Sequence, residues 1–238
     1  LTANPLAVIP LFGDKPRALT ASPDGSKVYA AVFRSGNRTV PISEGLVCDG
    51  LGPCNVQGTT YPAGRPFPDT NFQNITSRET GIIVGFNDLA GRWEDEMGND
   101  WSPAVRVSLP DLDVFEIDAN ANPPVADDGS SSCSDGSGCW AGVGTTIFNM
   151  AVNPISGKIY VTNSDAQNHV RCEGPGTLAA PIKPAGEPAT VQGNLARSRI
   201  TVLDGSSGVA RHLNKHIDYS DLPAPAGVKD KSIATPMG

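Results

Sequence analysis

Two stretches of the chain decide its predicted architecture: "RALTASPDGSKVYAAVF" at 17–33 and "IFNMAVNPISGKIYVTN" at 147–163. Both contain an alternating apolar segment, a Pro shortly before a Gly, a Lys, and a second apolar run with an aromatic residue at its centre. Because Pro fixes φ and Gly accepts a positive φ, each stretch predicts a β-hairpin that turns at "SPDGSK" or "NPISGK". Two copies of one hairpin indicate a repeat architecture.

The composition favours short strands and excludes two classes of function. The chain of 238 residues contains 26 Gly and 21 Pro, and 39% of its residues are hydrophobic. Turn-forming residues at that density suit strands better than long helices, so the predicted class is all-β. The net charge of −7, with no basic run, argues against a nucleic-acid partner. No apolar run is long enough to predict a membrane span.

Further strands extend each hairpin into a predicted four-stranded unit. The second hairpin is followed by "SRITVLDGSSGVARHLN" at 198–214, and "GIIVGFND" at 81–88 is the matching strand for the first, with "RWEDE" at 92–96 as its outer edge. A strand from Val114 to Ile117 has no assigned place. Four antiparallel strands with the innermost first form the blade of a β-propeller.

The predicted domain organisation is a single partial β-propeller over residues 1–238. Its parts are blade 1 at about 15–96 with an insertion at 41–79, blade 2 at about 110–220 with insertions at 119–142 and 171–196, and the start of a further blade at 228–238. Propellers close with about four to eight blades. We therefore expect further blades, in the same or another chain, to complete the ring.

The five cysteines point to an oxidising compartment. The pairs Cys48–Cys54 and Cys133–Cys139 each bracket five residues of a Gly-rich loop, which predicts two local disulfides that pin the first two insertions. Cys172 is left as a buried thiol or as a partner for another part of the protein. The chain begins with Leu1, as a processed mature protein or a fragment would, and the predicted location is secreted, periplasmic or at the cell surface.

The motif "KIYVTN" at 158–163, preceded by "MAVNPISG", resembles the repeat of YVTN-type β-propellers, and "SPDGSKVYAAVF" is a looser copy. The strings "LPDLDVFEIDANANPP", "GVGTTIFNMAVNPISGKIYVTN" and "RHLNKHIDY" are similar to the N-terminal part of large secreted bacterial propeller proteins. The resemblance covers about residues 80–238. Some members of that group carry c-type haem motifs later in the chain, so haem is expected only if residues outside this chain supply it.

Two groups of residues are candidate metal ligands. Asp118, Asn120, Asp127 and Asp128 lie in an acidic loop whose oxygens suit a structural calcium ion, although a solvated loop without a metal is the favoured interpretation. The pair His212 and His216 has a spacing that places both side chains on one face of a helix or a strand. The neighbouring Arg211 and Lys215 would repel a cation, so packing and hydrogen bonding within the outer strand is the default interpretation.

No catalytic or cofactor-binding residue is predicted within these residues. The carboxylates at 94–96 in "WEDEMGND" suit a charged outer strand, and neither a phosphate-binding Gly loop nor a Ser elbow occurs. The leading hypothesis is a non-catalytic extracytoplasmic propeller that binds a protein or surface partner through its long loops. The alternative is the N-terminal portion of a secreted electron-transfer protein. Hydrolysis of an extracellular polymer is a third hypothesis.

Overall fold

The fold is all-β, as predicted, and consists of antiparallel sheets with a few short helical turns. The computed structural model describes residues 7–47, 53–62, 70–71, 81–109, 111–126, 138–167, 176–177, 196–218 and 225–234. The strands in these ranges are β1 (Asp14–Ala21), β2 (Lys27–Arg34), β3 (Thr39–Ile42), β4 (Cys54–Val56), β5 (Thr59–Tyr61), β6 (Thr70–Asn71), β7 (Ile82–Asn87), β8 (Arg92–Glu94), β9 (Val114–Asp118), β10 (Val125–Ala126), β11 (Cys139–Trp140), β12 (Thr146–Val152), β13 (Ile159–Ala166), β14 (Gly176–Thr177), β15 (Ala196–Asp204) and β16 (Ser207–His212). The helical elements are α1 (Glu44–Val47) and 3₁₀ turns at Ser102–Ala104 and Lys229–Lys231.

Both predicted hairpins are present, and the same backbone hydrogen bond closes their turns. Strand β1 pairs with β2, and β12 pairs with β13, in antiparallel register. The closing bonds run from Ser22 N to Lys27 O and from Asn153 N to Lys158 O, each at 2.9 Å. Each turn contains a glycine with a positive φ, Gly25 at 72° and Gly157 at 71°, a conformation that favours glycine, although Gly25 stands one position earlier in its turn than Gly157 does.

The equivalence of the two hairpins extends to an irregularity in the first strand of each. The register shifts between Pro16 and Ala18 in β1 and between Ile147 and Asn149 in β12, so each strand contains a β-bulge. The two bulges touch, because Arg17 Nε donates a hydrogen bond of 3.3 Å to Phe148 O. The first strands of the two copies therefore lie side by side.

The first sheet unit is formed by β1, β2 and β9, with β10 and β11 both paired to the outer side of β9. The prediction that 81–88 supplies the third strand was wrong, since β9, the strand left without a place, occupies that position. Strand β9 takes this position because it is apolar on both faces, and both of its faces are buried there. Val114 and Phe115 are adjacent yet only 0% and 2% exposed, the pattern of a strand covered on both sides.

The second sheet unit is formed by β12, β13, β15 and β16 in sequential antiparallel order. This arrangement confirms the predicted third and fourth strands within 198–214. The equivalent lysines of the two units make equivalent ion pairs with the third strand. Lys27 Nζ lies 2.6 Å from Glu116 Oε1, and Lys158 Nζ lies 2.7 Å from Asp204 Oδ2.

The two units share one hydrophobic core. Among the described residues a single bridge pair, Arg34 with Thr146, links their backbones, while Tyr29, Val114 and Trp140 of the first unit belong to the same buried cluster as Ile147 and Leu203 of the second. Burying a large aliphatic side chain contributes about 1.5–3 kcal/mol. The core therefore holds the units together far more strongly than the single bridge does.

The described residues between 39 and 105 form an insert between β2 and β9 with a core of its own. In this insert β3, β7 and β8 make a three-stranded sheet, and β4 and β5 make a separate hairpin. Their apolar faces meet at Val84 and Trp101, both 0% exposed, and Tyr61 stacks on Trp101 with ring centroids 6.4 Å apart. Strands β7 and β8 therefore belong to the sheet that packs on this core, and they do not extend the first sheet unit.

Within the described ranges no sheet closes on itself, and the two sheet units alone do not form a complete ring. A small pair, β6 with β14, joins two of the long insertions. Residues 225–234 contain a 3₁₀ turn and no strand, and the rest of the predicted start of a further blade lies outside the described residues. No helix in the described part of the chain is long and apolar enough to cross a membrane.

Candidate functional site at the junction of the sheet units

A cluster of buried polar side chains lies between the two sheet units. It draws Ser35, Asp111 and Asp113 from the first unit, the backbone of residues 142–144 from the connection, and a polar face from the second unit. The members on that face are Asn163, Asp165, Arg199 and Thr201. We call this set the junction cluster.

Strand periodicity explains why the second unit presents polar groups here. Alternate residues share a face, so Val161, Asn163 and Asp165 point the same way on β13. Arg199 lies directly opposite Asn163 across the sheet, and Thr201 lies opposite Val161. The face that is apolar toward Leu203 therefore becomes polar at its other end.

Arg199 is the hub of this polar face. Its Nε donates to Asn163 Oδ1 at 2.9 Å, its Nη1 to Asp165 Oδ2 at 2.7 Å, and its Nη2 to Val143 O at 2.8 Å. The Arg199 side chain is only 9% exposed. Burial lowers its pKa from the ordinary value, but a guanidinium stays charged at neutral pH and therefore needs the nearby carboxylate of Asp165.

Asp111 and Asp113 attach the first unit to the connection. Asp113 Oδ2 accepts hydrogen bonds from Val143 N at 2.6 Å and Gly144 N at 3.4 Å, and Asp111 Oδ2 accepts one from Gly142 N at 3.0 Å. The hydroxyl of Ser35 contacts both carboxyl groups. A hydroxyl has a single proton to donate, so both contacts are satisfied when one carboxyl group is protonated.

Burial favours that proton. Burial, together with the neighbouring charge of Asp111, raises the pKa of Asp113 to about 8. Burial also raises the pKa of Asp111 to about 6, against the effect of the hydrogen bond from Gly142 N. Near neutral pH the pair therefore retains a proton.

The connection fits closely against the second unit at Gly144. A Cβ atom built on Gly144 would lie 2.5 Å from Asn163 Oδ1 and 2.7 Å from Asn163 Cβ. Real Cβ atoms do not approach this closely, so a larger residue would push Asn163 away from Arg199. The absence of a side chain at this position allows the cluster to form.

The junction cluster suits fastening rather than catalysis. A catalytic carboxyl group must reach its substrate, whereas Asp113 and Asn163 are both 0% exposed. The proton held by Asp111 and Asp113 therefore affects the stability of the contact between the two sheet units.

The candidate calcium residues are partly described. Asp118 ends β9, and its Oδ1 accepts a hydrogen bond of 2.8 Å from Asn120 N, which makes a local turn. Asp127 and Asp128 lie outside the described residues. No group of three or more His, Cys, Asp or Glu side chains suited to a metal occurs among the residues with described positions. The calcium site stays a prediction.

The two candidate histidines belong to different elements. His212 ends β16 and lines a cavity of about 290 Å³ together with Arg197 and Lys215. His216 belongs to the following turn and is not one of the described lining residues. Burial lowers the pKa of His212, as do the charges of Arg197 and Arg199. Both charges would repel a metal cation, and the metal site at His212 and His216 stays a prediction.

The disulfide predictions fall only partly on described residues. Cys54 and Cys139 are both disulfide-bonded. Their predicted partners, Cys48 and Cys133, and the unassigned Cys172 all lie outside the described residues. The pairings therefore stay predictions.

The carboxylates at 94–96 organise the insert. Glu94 accepts hydrogen bonds from Asn87 Nδ2 at 2.7 Å and Arg92 Nε at 2.5 Å. Asp95 accepts the indole hydrogen of Trp101 at 3.0 Å and two backbone hydrogens of its own turn. These contacts give Glu94 and Asp95 structural roles.

Sequence reasoning missed the acidic half of the junction cluster. The signal was the "DLD" at 111–113, where two carboxylates two residues apart directly precede a buried strand. An inward-facing arginine within "SRITV" was the second signal, because a charge on the buried side of a strand requires a partner.

Together, the fold and the junction cluster define an all-β protein of two similar antiparallel sheet units fastened by a buried polar contact. No protein-family model, curated protein or solved structure matches this chain. The resemblance to YVTN-type propellers therefore stays a prediction from the sequence.

Proposed function

We propose that this chain is part of an extracytoplasmic β-propeller that binds a protein or surface partner through segments inserted between its strands. The observation that carries the proposal is the matched order of the two sheet units. Their first strands touch at the bulges, through Arg17 and Phe148. Their outer parts touch where Trp140 Nε1 donates to Gly205 O at 2.9 Å. Neighbouring propeller blades align inner strand with inner strand in this way.

The insert at 39–105 is the proposed binding element. It has its own core, so it can present a defined surface without disturbing the sheet units. Large apolar side chains stand at two of its turns, with Leu89 101% and Met97 56% exposed. Arg92 Nη2 contacts Gly98 O at 3.3 Å, which holds the second turn beside β8.

A cross-linking experiment with matched variants tests the proposal. The purified protein, carrying a photo-reactive label, is incubated with the extracytoplasmic fraction of its source, and cross-linked proteins are identified by mass spectrometry. The double variant L89S/M97S should lose the specific cross-link. The control I155S changes an equally exposed apolar residue, 96% exposed in a hairpin turn of the second unit, and should keep it. A cross-link pattern shared by both variants would count against the insert as the binding element.

The same preparation separates the proposal from the electron-transfer alternative. The intact mass of the mature polypeptide shows whether blades beyond the 24.7 kDa of this chain belong to the same molecule. A Soret band in the complete protein would favour the alternative, and a complete protein without one would remove it.

A further inference from the structure

Each sheet unit has one face that carries a tyrosine two residues after the lysine of its hairpin turn. Tyr29 follows Lys27 in the first unit, and Tyr160 follows Lys158 in the second. Residues directly opposite each other in a sheet share a face, as do residues two apart on one strand. Each tyrosine therefore marks one whole side of its unit, which we call the tyrosine face; the other side is the opposite face.

The two units stack with the tyrosine face of the first against the opposite face of the second. Tyr29, Ala31 and Val114 share the tyrosine face of the first unit through the register of β2 with β9. Ile159 and Leu203 pair across β13 and β15 on the opposite face of the second unit, because Ile159 directly precedes the tyrosine. All five side chains belong to one buried cluster. The contact joins two different faces, so a further unit can repeat it in the same direction.

The tyrosine face of the second unit is exposed where that of the first is covered. Tyr160 is 39% exposed, whereas the equivalent Tyr29 is 8% exposed. The carboxylate that pairs with the hairpin lysine differs in the same direction, since its side chain is 19% exposed at Glu116 in the first unit and 57% exposed at Asp204 in the second. The first unit thus shows how a sheet covers this kind of face.

The exposed face carries a row of apolar side chains. The register places Tyr160, Val202 and Val209 side by side on β13, β15 and β16, and Ala151 of β12 lies on the other side of the tyrosine. Val209 is 44% exposed and Val202 is half-buried. An apolar row that crosses all four strands suits packing against the face of another sheet.

The opposite face of the first unit is already covered. Val32, Phe115 and Cys139 form a buried cluster on that face, and Leu11 packs against it. The segment before β1 runs close to this cluster, because a Cβ atom built on Gly13 would lie 2.4 Å from Val32 Cγ1. A second copy of this chain, stacked in the same direction, would therefore have to displace that segment.

We propose that the tyrosine face of the second unit binds a third antiparallel sheet unit, which presents an aliphatic face equivalent to Ile159, Val161 and Leu203. The contact between the first two units supports this occupant, because it shows which kind of face covers a tyrosine face. The inference rests on the proposed function in one respect, that the chain is part of a larger propeller. It adds the face and the direction in which the propeller continues, and it does not depend on what the insert binds.

Nitration of the tyrosines in the native protein isolated from its source tests the proposal. Tetranitromethane modifies exposed tyrosines, and mass spectrometry gives the rate at each position. Tyr160 should be nitrated as slowly as the internal references Tyr29 and Tyr61, which are both 8% exposed. A Tyr160 that reacts several-fold faster than Tyr29 overturns the proposal.

The mass of the same native sample separates this inference from the propeller proposal. If the sample contains further blades and Tyr160 still reacts fast, the docking face is wrong and the propeller proposal stands. A native mass equal to the 24.7 kDa of this chain alone would refute both.

A photo-cross-linker in place of Tyr160 identifies what covers this face. Benzoylphenylalanine at this position should cross-link to a peptide from a third sheet unit, in the same or another polypeptide. A cross-link to position 160 of a second copy, or to a segment within residues 1–238, would overturn the proposal.

Two matched substitutions test the contact through stability. V209D places a charge in the apolar row, where a docked sheet would bury it, so it should lower the Tm of the complete protein. I155D introduces the same charge in a hairpin turn of the second unit, at a residue that is 96% exposed, and should leave the Tm almost unchanged. Equal shifts for the two variants would contradict a covered face.

Discussion

The stability of this protein should fall as the pH rises from 5 to 7, and the substitution Asp113→Asn should remove most of that dependence. Asp113 is fully buried, and burial raises its pKa to about 8 from an ordinary value of 3.8. Between these two values the folded chain holds a proton at Asp113 that the unfolded chain has released. The contribution is therefore complete below about pH 4 and is lost progressively as the pH approaches 8.

The magnitude follows from proton linkage. A difference of one bound proton changes the folding equilibrium constant tenfold per pH unit, or about 3 kcal/mol between pH 5 and 7. Asp111 adds to the loss at the acidic end of this range, since burial raises its pKa to about 6. The amide introduced by D113N would keep the shape of the side chain but cannot ionise, so the unfolding free energy of the variant should depend on pH far less steeply.

Urea unfolding at pH 5, 6, 7 and 8, followed by tryptophan fluorescence, measures the effect. Trp140 reports on the contact between the units, because its indole bonds to Gly205 O across the junction. Asp24→Asn is the control. Hydrogen bonds from Ser22 and Ser26 lower the pKa of the exposed Asp24 to about 2, so its titration lies below the tested range. If D113N and the wild-type protein lose stability with pH at the same rate, the protonated junction is refuted.

Three further substitutions test other contacts. Gly144→Ala places a methyl group 2.5 Å from Asn163 Oδ1 and should cost about 1–3 kcal/mol, whereas Gly45→Ala, with nothing within 4 Å, should leave the Tm almost unchanged; equal shifts would contradict the close fit. Trp140→Phe removes the 2.9 Å bond to Gly205 O and should lower the unfolding free energy by about 1 kcal/mol; an unaltered urea midpoint would show that this bond does not couple the units. Asp95→Ala removes the acceptor of the Trp101 indole hydrogen and should reduce amide-exchange protection within the insert alone; loss of protection in β12 and β13 as well would argue against a separate insert core.

The hairpins could be predicted from the sequence because the residues that specify each turn lie directly between the two strands that it joins. The turns at 22–27 and 153–158 carry Pro, Gly and a side chain that bonds to the turn backbone, and each joins strands only a few residues apart. The same reasoning located β15 and β16, which also meet through a short turn at Asp204 to Ser207. Where partners are close in sequence, turn chemistry specifies the pairing.

The third strand of the first unit was wrongly assigned because its pairing is non-local. Residues 82–87 and 114–118 both read as apolar strands, and composition alone does not show which one crosses the insert to reach β2. The deciding property is burial on both faces at Val114 and Phe115, which depends on neighbours that the linear pattern does not name.

The candidate site was predictable only in part for the same reason. His212 was singled out, but its neighbours Arg197 and Arg199 come from another strand, and their approach depends on a register that spacing along the chain does not give. Metal binding by His212 and His216 stays a prediction. Asp113 was overlooked because its burial arises from packing between two units.

The position of the insert has a consequence for how the chain folds as it is synthesised. Strand β2 ends at Arg34 and its partner β9 begins at Val114, so the outer edge of the first hairpin emerges from the ribosome long before the strand that covers it. Closing so long a loop adds little free energy, since each doubling of length costs only about 0.6 kcal/mol. The delay, however, leaves an uncovered strand edge on the nascent chain. Until β9 is synthesised, the unpaired edge of β2 could therefore pair with another chain, so we expect this stage of synthesis to be the one most prone to aggregation.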